Sequence, residues 1–155
     1  MKSIALLTIA SVVQANSVPI MPTMPGWELG TKGAQVEIRA FYDMLCPDSK
    51  ANHYIWKTLL PKESIIPGKK WSDIIDMKVT PFVLPYHLHS YEISMVIPYL
   101  FDMCQYDSNK CYMDKYAEIG WSNWEDILSQ KNVSYNTFVK GWAKTVSTSI
   151  PDAKE

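Results

Sequence analysis

Net charge is nearly absent from this 155-residue chain: fifteen Lys and Arg stand against sixteen Asp and Glu, a formal balance of -1. A chain so balanced lacks both the basic surface that would hold a phosphate backbone and the like-charged blocks of a solvating tail, so nucleic acid is not an expected partner. Internal repeats and low-complexity tracts are missing too, which excludes solenoids and fibrous arrays. Cysteine is scarce, at three residues, and no CxxC or HxxxH pair supplies a zinc-ligand spacing. What is present is a 47% hydrophobic, 20% charged composition, enough to bury the core of one compact domain and unlike a disordered segment. Ten Pro, nine Tyr and six Trp punctuate it, which argues against a coiled coil or a simple bundle of long helices.

Met1 and Lys2 form a short basic start, followed by the apolar run Ile4 to Val13. Val13 and Ala15 are small residues at the two positions a signal peptidase inspects, so residues 1–15 have the three-part layout of a secretory signal cleaved after Ala15. The run is too short to span a bilayer stably. A buried N-terminal helix is the alternative, and it leaves the small residues unexplained. The expected mature protein is exported, secreted or lumenal, and free of the membrane once the signal is cleaved.

Export changes how the cysteines read, because disulfides persist outside the cytosol. Cys104 and Cys111 flank the polar, turn-forming stretch Gln-Tyr-Asp-Ser-Asn-Lys, and a bridge closing that small loop is the expected pairing. Cys46 is then left over as a free thiol. The competing account joins the cysteines with His53, His87 and His89 around a metal, but no ligand spacing supports it, so neither a metal nor a cofactor is expected.

Residues 16–34 carry Pro19, Pro22, Pro25, Gly26, Gly30 and Gly33 and read as an extended lead-in rather than a packed element. From Gln35 to Leu45, apolar Val36, Ile38, Ala40 and Tyr42 alternate with Glu37, Arg39, Phe41 and Asp43, the pattern of a strand. Its later part is apolar on both sides, which suggests an interior position. Cys46-Pro47-Asp48-Ser49 follows directly, then a helical pattern from Lys50 to Leu60 that Pro61 ends; Pro47 suits a first helical turn, where its missing N–H is not needed. A second strand is expected over Asp76 to Leu84, with Pro81 marking an edge, a bulge or an early end. A helical block spans 91–150: Tyr91 to Cys104 with a kink at Pro98, a short helix opened by a capping box at Ser122 to Glu125, and a last helix capped by Ser134 with Phe138, Trp142 and Val146 on one stripe. Residues 35–90 thus form a strand-helix-strand unit, 91–150 a helical block and 151–155 a tail.

The thiolate is the reactive form of cysteine, and the unpaired N–H groups and dipole of a helix N-terminus favour negative charge there. A cysteine at a strand-to-helix junction is therefore placed for nucleophilic chemistry. Pro47 stiffens the first turn. Asp48 favours the dipole but opposes a nearby anionic sulfur. Ser49 stands where a two-cysteine redox motif carries its second thiol; its hydroxyl can hydrogen-bond the sulfur but cannot close an intramolecular disulfide. A lone thiol can still form a mixed disulfide, released by an external or client thiol. The alternative is a buried, inert cysteine.

Phe41-Tyr42-Asp43-Met44-Leu45-Cys46-Pro47-Asp48-Ser49, followed by Leu84-Pro85-Tyr86-His87 and a helical block, resembles the DsbA-like thioredoxin-fold proteins of eukaryotes. Members carry a similar Cys-Pro-Asp-Ser segment after a strand of Val-Glu-Val type, and a Leu-Pro-Tyr-His sequence before an inserted helical domain. The likeness runs over about Val36 to Tyr112 and more loosely to Thr148. Lysosomal thiol reductases induced by interferon are similar at Cys-Pro-Asp but use a second cysteine where Ser49 stands. The resemblance implies an α/β, partial thioredoxin-like fold with an inserted helical block, Cys46 as the reactive position, and Pro47, Asp48 and Ser49 as its neighbours. It also implies a cis-proline, a closing hairpin and a final helix, for which the residues after the helical block offer no match; a shortened member or an early-ending gene model is expected.

His87 and His89, if on a strand end, would point to the same side and could hold a metal or tune a thiol; partly buried, hydrogen-bonded corner histidines are the plainer account. Trp56, Trp71, Trp121, Trp124 and Trp142 read as core and rim packing. Asn132-Val133-Ser134 matches the N-glycosylation acceptor pattern. Two functions follow: thiol–disulfide exchange on cysteine-containing clients or small thiols through Cys46, or a non-catalytic thioredoxin-like binding module. A sheet of few strands also leaves an edge through which an oligomer can form.

Overall fold

The computed structural model describes residues 24–150, so the expected signal at 1–15 and the tail at 151–155 lie outside the described residues. Strands β1 (Trp27–Gly30) and β2 (Val36–Tyr42) precede helix α1 (Pro47–Leu59), and α2 (Trp71–Ile74) runs directly into β3 (Ile75–Pro81). Helices α3 (Ser90–Ser94) and α4 (Ile97–Tyr106), a 3-10 turn at Ser108–Lys110, and α5 (Met113–Ser122), α6 (Trp124–Ser129) and α7 (Tyr135–Ser149) complete a mixed α/β architecture. The sheet order is β1-β3-β2, with β1 antiparallel and β2 parallel to β3. A parallel pair needs a crossover, and α1 with α2 supplies it.

Two positions differ from the sequence expectation. The lead-in is extended but not unpacked: Trp27 to Gly30 pair with Val79 to Asp76, and Trp27 is buried. Interior placement falls to β3, whose Ile75, Met77 and Val79 are buried, while among the described residues β2 lies at the edge with Phe41 exposed. Apolar residues on both faces of a strand end marked the approach to the cysteine loop, not a strand buried on both sides. Pro81 ends β3, where a missing donor costs no ladder bond.

In the helical block, Pro98 opens α4 and separates it from α3, so the expected kink is a break. Ser122 caps nothing; it is the last residue of α5, and α6 starts behind Asn123 without a side-chain cap. Fully buried Trp121 packs the last turn of α5, which ends at the motif's first residue. Ser134 does cap α7, accepting the Thr137 N–H, and Phe138, Trp142 and Val146 form its buried stripe. Cys104 and Cys111 are disulfide-bonded, Cα to Cα 4.4 Å, closing the loop between α4 and α5. The core lies where this block meets the sheet: Met77, Ile93, Ile97, Leu100, Tyr116 and Trp121 are wholly or almost wholly buried.

Candidate functional site

Cys46 is the N-cap residue of α1, with extended backbone angles, and Pro47 opens the helix. It is a half-buried free thiol whose sulfur makes no capping bond to the first turn. Its carbonyl accepts the Lys50 N–H at 3.1 Å, and its own N–H donates to the Asp43 carbonyl at 3.1 Å. Cys46 thus stands at the N-terminal end of α1, beside the turn whose N–H groups have no partner within the helix. Pro47 and Asp48 are exposed, whereas Ser49 is buried, and its Oγ accepts the Asp43 N–H at 3.2 Å. The Ser49 oxygen, whose hydroxyl could hydrogen-bond the sulfur, thus also accepts a bond from the loop that leads to it.

The strand-to-helix loop is clamped from three directions. Asp43 is 2% exposed, and its carboxylate accepts the Leu45 N–H and the Leu84 N–H, each at 2.6 Å, with His87 Nδ1 at 3.1 Å. The bond to Leu45 is the local turn that aspartate favours; the other two contacts reach across 41 and more residues to join the Cys-Pro-Asp-Ser loop to Leu84-Pro85-Tyr86-His87. From the helical block, Trp124 Nε1 donates to the Leu45 carbonyl at 2.8 Å, and Lys50 Nζ donates to the Trp121 carbonyl at 3.0 Å while lying over the Trp124 ring. Beneath the loop, Met44 and Leu45 are buried, and Met44 fits because α5 has glycine at 120: a Cβ there would lie 2.8 Å from Met44 Cε.

Asp43, Lys50 and Gly120 carry this arrangement and were not marked as site residues by their sequence. Asp43 at least had a signal, a lone carboxylate ending a strand beside buried Met44 and Leu45. Trp124 was read with the other tryptophans as core and rim packing, and its indole N–H is a clamp on the loop.

His87 and His89 lie in turns past β3, so the same-side geometry of a strand end does not arise. His89 takes a left-handed conformation, φ 68°, before α3; its ring stacks on Phe138 at 3.9 Å, with Nε2 3.2 Å from the Gln130 carbonyl and Nδ1 3.4 Å from Glu92. It is a packed corner histidine.

The third histidine belongs to a different cluster. His53 is wholly buried on α1 beside the rings of Trp27, Tyr42 and Trp121, and its Nε2 lies 3.4 Å from Asp114 Oδ1. His53, Asp114 and Glu118 could together offer three metal ligands, their atoms within 4.8 Å of one another. Lys57, one turn along α1, already donates to both carboxylates, so a divalent ion would have to displace an ammonium that neutralises them. The donor set fits a cross-helix ion pair better than a metal centre. Burial pushes the His53 imidazole below its usual range, with Lys57 adding to the effect and Asp114 and Glu118 opposing it. The Tyr42 hydroxyl donates to Asn52 Oδ1 at 2.6 Å, and burial raises it to about 12.

Asn132 is exposed in the turn before α7. No helix among the described residues is long and apolar enough to cross a membrane. Compared with known families, curated proteins and solved structures, the chain matches none. The class that the described residues define is a mixed α/β domain with a three-stranded sheet and a clamped cysteine at a strand-to-helix junction.

Proposed function

We propose that this is a thioredoxin-like protein of the secretory pathway that exchanges thiols and disulfides through Cys46. The observation that carries the reading is the placement of half-buried, uncapped Cys46 at the N-terminus of α1, on the short loop that follows a strand and is held from three sides. The Cys46 thiolate attacks one sulfur of a client disulfide, forming a mixed disulfide and releasing the client's other sulfur as a thiolate. A second client cysteine or a small thiol then attacks the mixed disulfide and returns Cys46 to its thiolate. Ser49 cannot resolve it, and Cys104 and Cys111 are bonded to each other. Isomerisation or holding of clients is therefore favoured over net oxidation. Exposed Asn132 and the surface disulfide support passage through an oxidising compartment.

The second reading, a binding module without redox turnover, draws its support from Ser49, whose oxygen is committed to the Asp43 N–H. Glutathione-dependent reduction of a small aromatic disulfide separates the two. The parent should turn over and form a mixed disulfide recoverable by mass spectrometry. Cys46→Ser should fall to the uncatalysed rate while keeping its unfolding midpoint. Exchange at the parent rate in that variant would end the mechanism; an inert parent thiol would leave the binding module.

A further inference from the structure

Asp43 holds more than its clamp needs. The Leu45 and Leu84 N–H groups already give each of its oxygens a main-chain donor, yet the His87 imidazole stands 3.1 Å from Oδ1 as well. The turn from Leu84 to His87, closed by the His87 N–H on the Leu84 carbonyl at 3.1 Å, brings a main-chain and a side-chain group to one carboxylate. His87 Nδ1 is buried and has no other polar partner, whereas 17% of the side chain remains exposed. A carboxylate oxygen offers only lone pairs, so the nitrogen that faces it carries the proton, and Nε2 is the atom left to gain a second one. One nitrogen is fixed, and the other is free to charge the ring.

That charge forms close to the thiol. The Cys46 N–H closes a turn on the Asp43 carbonyl at 3.1 Å, and such a turn holds its first and last Cα atoms within about 7 Å. Charges so placed lie within about one screening length in physiological salt and act on each other. The Asp43 carboxylate opposes an anionic sulfur, and an imidazolium seated on that carboxylate offsets the opposition. Among the described residues Asp43 is the charged group in contact with His87, and the Tyr86 ring packs edge-on against it at 4.7 Å. The other charges within four residues of Cys46 are Asp48, exposed on the first turn of α1, and Lys50, whose Nζ is committed to the Trp121 carbonyl. Carboxylates and ammonium groups keep their charge over the range in which imidazole changes its own. Ser49 on Asp43 and Trp124 on Leu45 complete the contacts of the loop and are neutral.

We propose, resting on the exchange reading above, that His87 is a positioning residue whose protonation on the Asp43 carboxylate keeps the Cys46 thiol ionised as pH falls. Alkylation of the full chain by iodoacetamide reads the thiolate and needs no turnover, and Cys104 and Cys111, bonded to each other, do not contribute. His87→Asn keeps an N–H donor near the place of Nδ1 but cannot take up a charge. The parent should alkylate on the order of threefold to tenfold faster than this variant at about pH 5.5, and the two rates should converge above about pH 8.5, where imidazole is neutral. A histidine with a merely structural role leaves the ratio of the two rates the same at every pH. His87→Gln, which removes the same charge with a longer amide, repeats the measurement if His87→Asn lowers the unfolding midpoint. A ratio that does not change with pH, or a variant that is the faster one in acid, overturns the proposal. Disulfide turnover with a flat ratio removes this role of His87 and keeps exchange; a ratio that rises in acid without turnover keeps the effect of His87 on the thiol and ends exchange. A parent thiol that is inert at every pH overturns both.

Discussion

Replacing Asp43 with asparagine exchanges one carboxylate oxygen for an NH2 group and tests whether this carboxylate is what joins the cysteine loop to the segment after β3. The side chain is 2% exposed, one oxygen accepts the Leu45 N–H and the other the Leu84 N–H, each at 2.6 Å. An asparagine keeps a single acceptor oxygen and turns its NH2 group towards the other main-chain donor. Leaving one buried N–H unsatisfied costs about 1–3 kcal/mol, so Asp43→Asn should lose about that much; Asp43→Ala, with two donors stranded, should lose about 2–6 kcal/mol. Against a total of roughly 5–15 kcal/mol for a domain, the alanine variant approaches marginal folding. Urea unfolding at constant m-value measures the loss. Alkylation of Cys46 in the folded protein provides a local readout, because the Cys46 N–H hangs on the Asp43 carbonyl and the loop should loosen with it. Both variants unfolding within 0.5 kcal/mol of the parent would refute the clamp.

His53 gives a pH prediction with a definite sign. Burial lowers its folded-state affinity for protons, so the unfolded chain takes up the proton first as pH falls through about 6.5, and stability present above that value is lost below it. Unfolding free energy should drop between pH 7 and 5.5, by at most about 1.4 kcal/mol per pH unit from this group, and the drop should flatten in His53→Leu; an unchanged slope in that variant assigns the effect elsewhere. Gly141→Ala should stabilise the protein by about 0.5–1 kcal/mol, because a Cβ on that exposed turn of α7 meets no atom within 4 Å and alanine is the better helix former. A thermal midpoint at or below the parent's would contradict it.

The strand, the cysteine and the helix were legible because each rests on neighbours in the chain. Alternation from Val36 to Tyr42, Pro47 at the first helical turn and Ser134 before α7 are local signals, and local sterics and capping act on them directly. The Cys104–Cys111 pairing was legible for the same reason, since so small a loop leaves few alternatives. The capping box at Ser122 was an equally local signal and failed: α5, with Trp121 buried, runs through Ser122, and α6 starts behind Asn123 without a side-chain cap.

The sequence by itself determined a mixed α/β chain, a single unpaired cysteine at a helix start, and a composition able to bury a core. Only the tertiary structure decided that Trp27–Gly30 is a strand, that β3 rather than β2 lies in the middle, and that Asp43, Trp124 and Lys50 converge on the cysteine loop. The physical reason is distance along the chain. Four residues between prolines and glycines become a strand only when a partner some fifty residues later supplies the ladder, and a carboxylate declares its partners only when distant N–H groups are brought to it.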